Sequence, residues 1–132
     1  MGTSYKGGSP SFRSISDNIS ALSKAFSYSN GYFGVKGESG SNSRVRNIHT
    51  NTPVETAKKF YDKATYGGME SSIFNKRTGE IIGKKTKLAD GSIISWRQRS
   101  SSDGSPAVDI NIEKSSNSGG VKQQKIHFLK EN

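Results

Sequence analysis

The sequence predicts an α+β fold, with N-terminal helices packed on a twisted antiparallel sheet of about four or five strands. Two hydrophobic periods carry this expectation. Up to Tyr66 the apolar residues recur at spacings of three and four, and from Ser71 onward they alternate with polar ones. A third signal is Asp90-Gly91 between two alternating runs, the strongest short mark of a hairpin.

Residues 1–47 form a lead-in rich in Gly, Ser and Asn, exemplified by Gly7-Gly8-Ser9-Pro10 and Gly37 to Ser43. One island interrupts it. Ile15, Ile19, Leu22 and Phe26 fall on one face of a short helix. The second helix is better signalled. Thr52 is placed to cap it, Pro53 suits its first position, and Glu55 completes a capping box. Val54, Ala57, Phe60, Tyr61 and Ala64 make its inner stripe, and Gly67-Gly68 stops it. Ser72–Phe74 and Glu80–Ile82 then form a hairpin around the turn Asn75–Gly79. Lys84–Leu88 and Ser92–Arg99 form the next, around Asp90-Gly91. Ala107–Ile112 and Val121–Leu129 alternate again, separated by the flexible run Ser115–Gly120.

Composition narrows the function. The 132 residues carry 20 Lys and Arg against 11 Asp and Glu, a formal charge of +9. That balance favours a polyanionic partner: nucleic acid, an acidic protein or an anionic surface. No apolar run approaches the ~20 residues that span a bilayer, so no membrane anchoring is expected in this segment. Met1-Gly2-Thr3-Ser4 has no apolar core and does not read as a signal peptide. There is no cysteine, which removes disulfides, thiolate zinc sites and a thiol nucleophile together. The two histidines, His49 and His127, are too few for a His-based zinc site. No metal and no cofactor is expected. A nucleophile elbow, a phosphate-binding Gly-rich loop and a dinucleotide fingerprint are all missing from the sequence.

Strand parity points to the chemistry. Ile94 and Trp96, Val108, Ile110 and Ile112, and Ile126 and Phe128 belong to the faces that meet the helix. If these three strands are neighbours, the opposite face displays Arg97, Arg99, Asp109, Asn111, Lys125 and His127. RNA carries its own nucleophile, the 2′-hydroxyl. Cleavage needs a group to take its proton, a group to protonate the leaving oxygen, and cations to stabilise the phosphorane-like transition state. A histidine among cations beside a carboxylate is equipment of that kind. His127, Arg97, Lys125 and Asp109 are the catalytic candidates. Plainer readings stand beside them: His127 as a surface residue, the arginines as solvation of an open face, and Asp109 as a cross-strand ion-pair partner. The hydroxyl-rich loop Ser100–Pro106, with Ser102 and Ser105, suits a phosphate or is merely a connection. Lys84, Lys85 and Lys87 suit either a grip on the phosphate backbone or protection of an edge strand.

The runs Asp90-Gly91-Ser92-Ile93-Ile94-Ser95-Trp96-Arg97, Ser105-Pro106-Ala107-Val108-Asp109-Ile110-Asn111 and Lys125-Ile126-His127-Phe128 resemble the C-terminal toxin domains of bacterial polymorphic and contact-dependent growth inhibition systems. Within these the chain is similar to ribonucleases of the barnase–EndoU–colicin–RelE fold, over residues 48 to 130. The resemblance implies a catalytic domain at 48–132 behind the lead-in. It implies cleavage of RNA, commonly tRNA, to a 2′,3′-cyclic phosphate, and an acidic cognate immunity protein over the active face. It implies delivery by a larger secreted or cell-surface parent and action in the cytoplasm of the target cell. His127 carries over best, then Arg97 and Lys125, then Asp109 and the Ser102–Ser105 loop. Arg99, Asn111, Ser102 and the three lysines would hold RNA. Trp96-Arg97-Gln98-Arg99 is more basic than the family pattern, so Arg97 and Arg99 remain alternatives. The rival reading from residues alone is a non-catalytic basic nucleic-acid-binding module.

Overall fold

The computed structural model describes residues 12–37, 44–100 and 104–131. Helix α1 spans Ile15–Ala25. Ser14 caps it: its hydroxyl accepts from Asp17 N at 3.0 Å, and the Asp17 carboxylate accepts from Ser14 N at 2.8 Å. Ile15 and Leu22 are fully buried, as the apolar spacing predicts. Helix α2 spans Pro53–Ala64 and buries Ala57, Phe60, Tyr61 and Ala64. Its predicted capping box does not form. Thr52 makes no side-chain cap; its hydroxyl lies 3.2 Å from that of Thr56, and Thr50 Oγ1 accepts from Thr52 N (3.1 Å) and lies 2.7 Å from the Thr56 hydroxyl. This threonine cluster competes with the cap for the same hydroxyl groups.

The strands are β1 (Tyr28–Ser29), β2 (Tyr32–Phe33), β3 (Val35–Lys36), β4 (Val45–Thr50), β5 (Met69–Phe74), β6 (Ile81–Lys87), β7 (Ile93–Arg97), β8 (Ala107–Asn111) and β9 (Gln124–Lys130). β1 and β2 pair as a separate hairpin. The other seven form one sheet in the order β3-β4-β9-β8-β7-β6-β5. The α+β class holds, but the expected four or five strands become seven, and the antiparallel sheet contains one parallel pair, β4 with β9. The helices do not all precede the sheet either, since α2 follows β4. The physical reasons are local. β1, β2 and β3 are two residues each, too short to alternate visibly. β4 carries Arg46 and His49 and reads as polar when its partners are unknown. The span expected as the end of one hairpin and the start of the next is a single strand, β6, running through Gly83. There an added Cβ would lie 2.2 Å from the Trp96 carbonyl, so glycine permits the close approach of β7. Val121–Gln123, expected as strand, is irregular and β9 begins at Gln124.

α2 packs across β4, β7, β8 and β9, and α1 packs on α2. Phe60 sits at the centre, with ring centroids 5.0 Å from Phe26, 5.1 Å from Phe33 and 5.8 Å from Phe128. The lead-in thus supplies Ile15, Leu22 and Phe33 to the core, and position 47/48 falls inside β4. The buried Asp90 ties three segments together. Its carboxylate accepts from Ile15 N, the Ser92 hydroxyl and the Ser115 hydroxyl.

Candidate active site on the open sheet face

With α2 on one side, the alternation of each strand assigns the other side chains to an open face. Cross-strand register arranges them in rows. One row runs Val45–Lys125–Asp109–Ser95–Lys85 across β4, β9, β8, β7 and β6. The next runs Asn47–His127–Ala107–Arg97–Gly83. Directly opposed side chains on such a sheet are about 5 Å apart and diagonal ones about 7–8 Å. Small residues, Ser95 and Ala107, lie among the long ones, and a cleft of about 280 Å³ opens there. Ser95, Arg97, Ser100, Ala107, Asp109 and Lys125 line it.

Asp109 is the half-buried carboxylate of this cleft. Burial pushes its carboxyl above the ordinary range, and the neighbouring Lys125 and Arg97 cations pull it part of the way back. A carboxylate so placed is more basic than one in water, with two cations beside the space an anion would enter.

His127 stands one row away and does not line the cleft. It is 6% exposed, and its Nδ1 is 3.0 Å from the Ser105 hydroxyl. Ser105 is held there by backbone geometry. Ser100 N donates to Ser105 O at 2.7 Å, Gly104 turns with φ +77°, and Phe128 N donates to Pro106 O at 2.9 Å. The loop is therefore closed at both ends beside His127. Ser102 lies outside the described residues.

The remaining candidates divide. Lys85 and Lys87 share the open face with Asp109. Lys84 has the opposite parity and its ammonium lies 3.8 Å from Glu70, so it faces the helix side. Arg99 lies past the end of β7, its guanidinium beside Gly104. Asn111 closes β8, its side chain accepting from Glu113 N at 2.9 Å. His49 is exposed on β4, opposite Leu129 rather than a candidate.

Two residues outside the catalytic candidates join the group. Asn47, 8% exposed, is the register partner of His127 on β4. Only the parallel pairing brings it there, although the alternation of Val45, Asn47 and His49 with Arg46, Ile48 and Thr50 hints at a strand. Ser95, on the open face of β7, reaches the cleft beside its register partner Asp109. Among the described residues no three His, Asp or Glu side chains gather to hold a metal ion, and no helix is long and apolar enough to cross a membrane. No protein-family model, curated protein or solved structure matches this chain.

Proposed function

We propose that this chain is a metal-independent endoribonuclease acting on RNA, with tRNA the favoured class, and that it serves as a toxin domain in competition between bacteria. One observation carries the reading: a half-buried, basic carboxylate, Asp109, faces a cleft between Arg97 and Lys125, with the His127–Ser105 pair one row away. Asp109 takes the proton of the 2′-hydroxyl. The resulting oxygen attacks phosphorus, and the bond to the 5′-oxygen breaks. Ser105 gives its proton to that leaving oxygen and is reprotonated from His127. Arg97 and Lys125 stabilise the added negative charge on phosphorus. The products are a 2′,3′-cyclic phosphate and a 5′-hydroxyl end, so no water and no cofactor enter this step. Asn47, the register partner of His127 on β4, serves to orient the imidazole. Lys85 and Lys87 extend the cationic face and hold the flanking backbone.

Delivery by a larger secreted or surface parent, action in the target cytoplasm, and an acidic immunity protein complete the proposal. The test is incubation of the purified chain with total RNA, followed by end-group analysis. Discrete fragments ending in 2′,3′-cyclic phosphate support it. Salt-sensitive binding with intact RNA would instead identify a non-catalytic binding module.

A further inference from the structure

The β1–β2 hairpin takes no part in the cleft, yet it is anchored more firmly than a surface connection requires. Its turn is Asn30-Gly31, both left-handed, with φ 55° and 89°, the conformation of a two-residue hairpin turn. Gly31 is so close to the chain ahead of β9 that an added Cβ would lie 2.5 Å from the Gly120 carbonyl. The buried Gln124 side chain joins the two segments. Its Oε1 accepts from Phe33 N at 2.9 Å, and its Nε2 donates to Gly31 O at 2.9 Å and Lys122 O at 2.7 Å. Lys122 N also donates to Gly31 O at 3.0 Å. A satisfied buried network of this kind fixes one geometry.

What the clamp fixes is Tyr32. The Arg46 guanidinium stands 4.9 Å from its ring centroid and is itself held by the carbonyls of Phe33 and Gly34. Tyr32, Arg44, Lys122 and Gln123 wall a pocket of about 370 Å³. The pocket lies at the end of the sheet where β9 begins and shares no lining residue with the cleft. Gln123 precedes Lys125 by two residues, about 7 Å along an extended chain, and Lys125 N donates to Arg44 O at 2.7 Å.

We propose that this pocket is a nucleotide subsite next to the cleft, taking a base against Tyr32 and the attached phosphate on Arg44 and Lys122. The identity of the ligand rests on the ribonuclease reading above. An aromatic ring backed by a guanidinium on a rigid mount suits a planar base. Cations beside that ring suit the phosphate joined to it. A ligand that is planar at one end and anionic at the other meets both.

The experiment uses the full chain and two probes: a dye-labelled 2′-deoxy tetranucleotide, which cannot be cleaved through a 2′-hydroxyl, and inorganic phosphate, which has no base to place against Tyr32. Tyr32→Ala is expected to weaken the tetranucleotide by about 10-fold or more, the scale of one lost base–aromatic stack. It should leave phosphate binding unchanged, and Tyr32→Phe should bind both probes like the parent. Lys122→Ala should lower the salt dependence of tetranucleotide binding by about one phosphate contact. Parent-like binding of the tetranucleotide by Tyr32→Ala overturns the subsite. Equal loss of both probes overturns it too, because the hairpin would then act through the fold. If Tyr32 governs tetranucleotide binding while the parent cleaves no RNA, the ribonuclease reading fails and the subsite stands. If RNA is cleaved and Tyr32→Ala binds normally, only the subsite fails.

Discussion

The hydroxyl of Ser105 lies 3.0 Å from Nδ1 of His127, a contact made by a loop residue and a strand residue 22 positions apart. In the proposed mechanism this pair carries the proton to the leaving oxygen. His127→Ala should therefore lower cleavage by at least ~100-fold, the usual scale for a positioned acid–base group. Ser105→Ala should produce a loss of similar order with an unchanged melting curve. A folded Ser105→Ala protein that cleaves at the parent rate removes the relay, and the same result for His127→Ala removes the imidazole.

Asp109 gives opposite predictions for activity and stability. Its folded-state pKa is raised, first by burial. Its contribution to stability is thus fully present below the unfolded pKa near 3.8 and is lost as pH rises through the folded value. At neutral pH the ionised carboxylate is a net cost. Asp109→Asn should raise the melting temperature at pH 7, with a gain that shrinks on acidification, while cleavage falls by ~100-fold or more. The acid limb of the parent's pH–rate profile should lie above the ordinary carboxylate range. Unchanged cleavage in the Asn variant would exclude Asp109 as the base.

Activity should persist in excess chelator. The sequence has no Cys and two His, and in the proposed chemistry the Arg97 and Lys125 cations, rather than a metal ion, offset the negative charge on the phosphoryl oxygens. Loss of cleavage on chelation, restored by added magnesium or zinc, would rule out this mechanism.

An immunity protein for this chain should be acidic and should dock over Arg97 and Lys125, since a +9 molecule steers an anionic partner quickly. Arg97→Glu and Lys125→Glu should each weaken that complex sharply, and its association rate should fall with salt. An inhibitor that binds both variants as tightly as the parent acts away from the cleft, whatever the enzyme's chemistry.

Phe60 joins α2 to the lead-in through Phe26 and Phe33 and to β9 through Phe128. Phe60→Ala should cost about 3–5 kcal/mol in chemical denaturation, the range for an aromatic core truncation. A loss below about 1 kcal/mol would mean that the three rings close over the gap.

Much of this molecule was legible before folding, because alternation and helical spacing are local properties. The period-two runs identified which side chains of β7, β8 and β9 share a face, and Arg97, Asp109, Lys125 and His127 do share one. The period-3.6 stripe identified the buried side of α2. Three matters needed the tertiary structure. β4 pairs in parallel with β9 across nearly eighty residues of intervening chain, which no local pattern encodes, so Asn47 comes beside His127 unannounced. Lys84 already alternates with Lys85 and Lys87 in the sequence, but only the pairing of β6 with β5 brings it to Glu70. Residues 28–33 looked like lead-in because a hairpin of two-residue strands has no period of its own. Its place is decided by the buried Gln124, whose amide meets three backbone partners only when β9 and the hairpin are already together. Periodicity belongs to neighbours in sequence, whereas pairing and burial belong to neighbours in space.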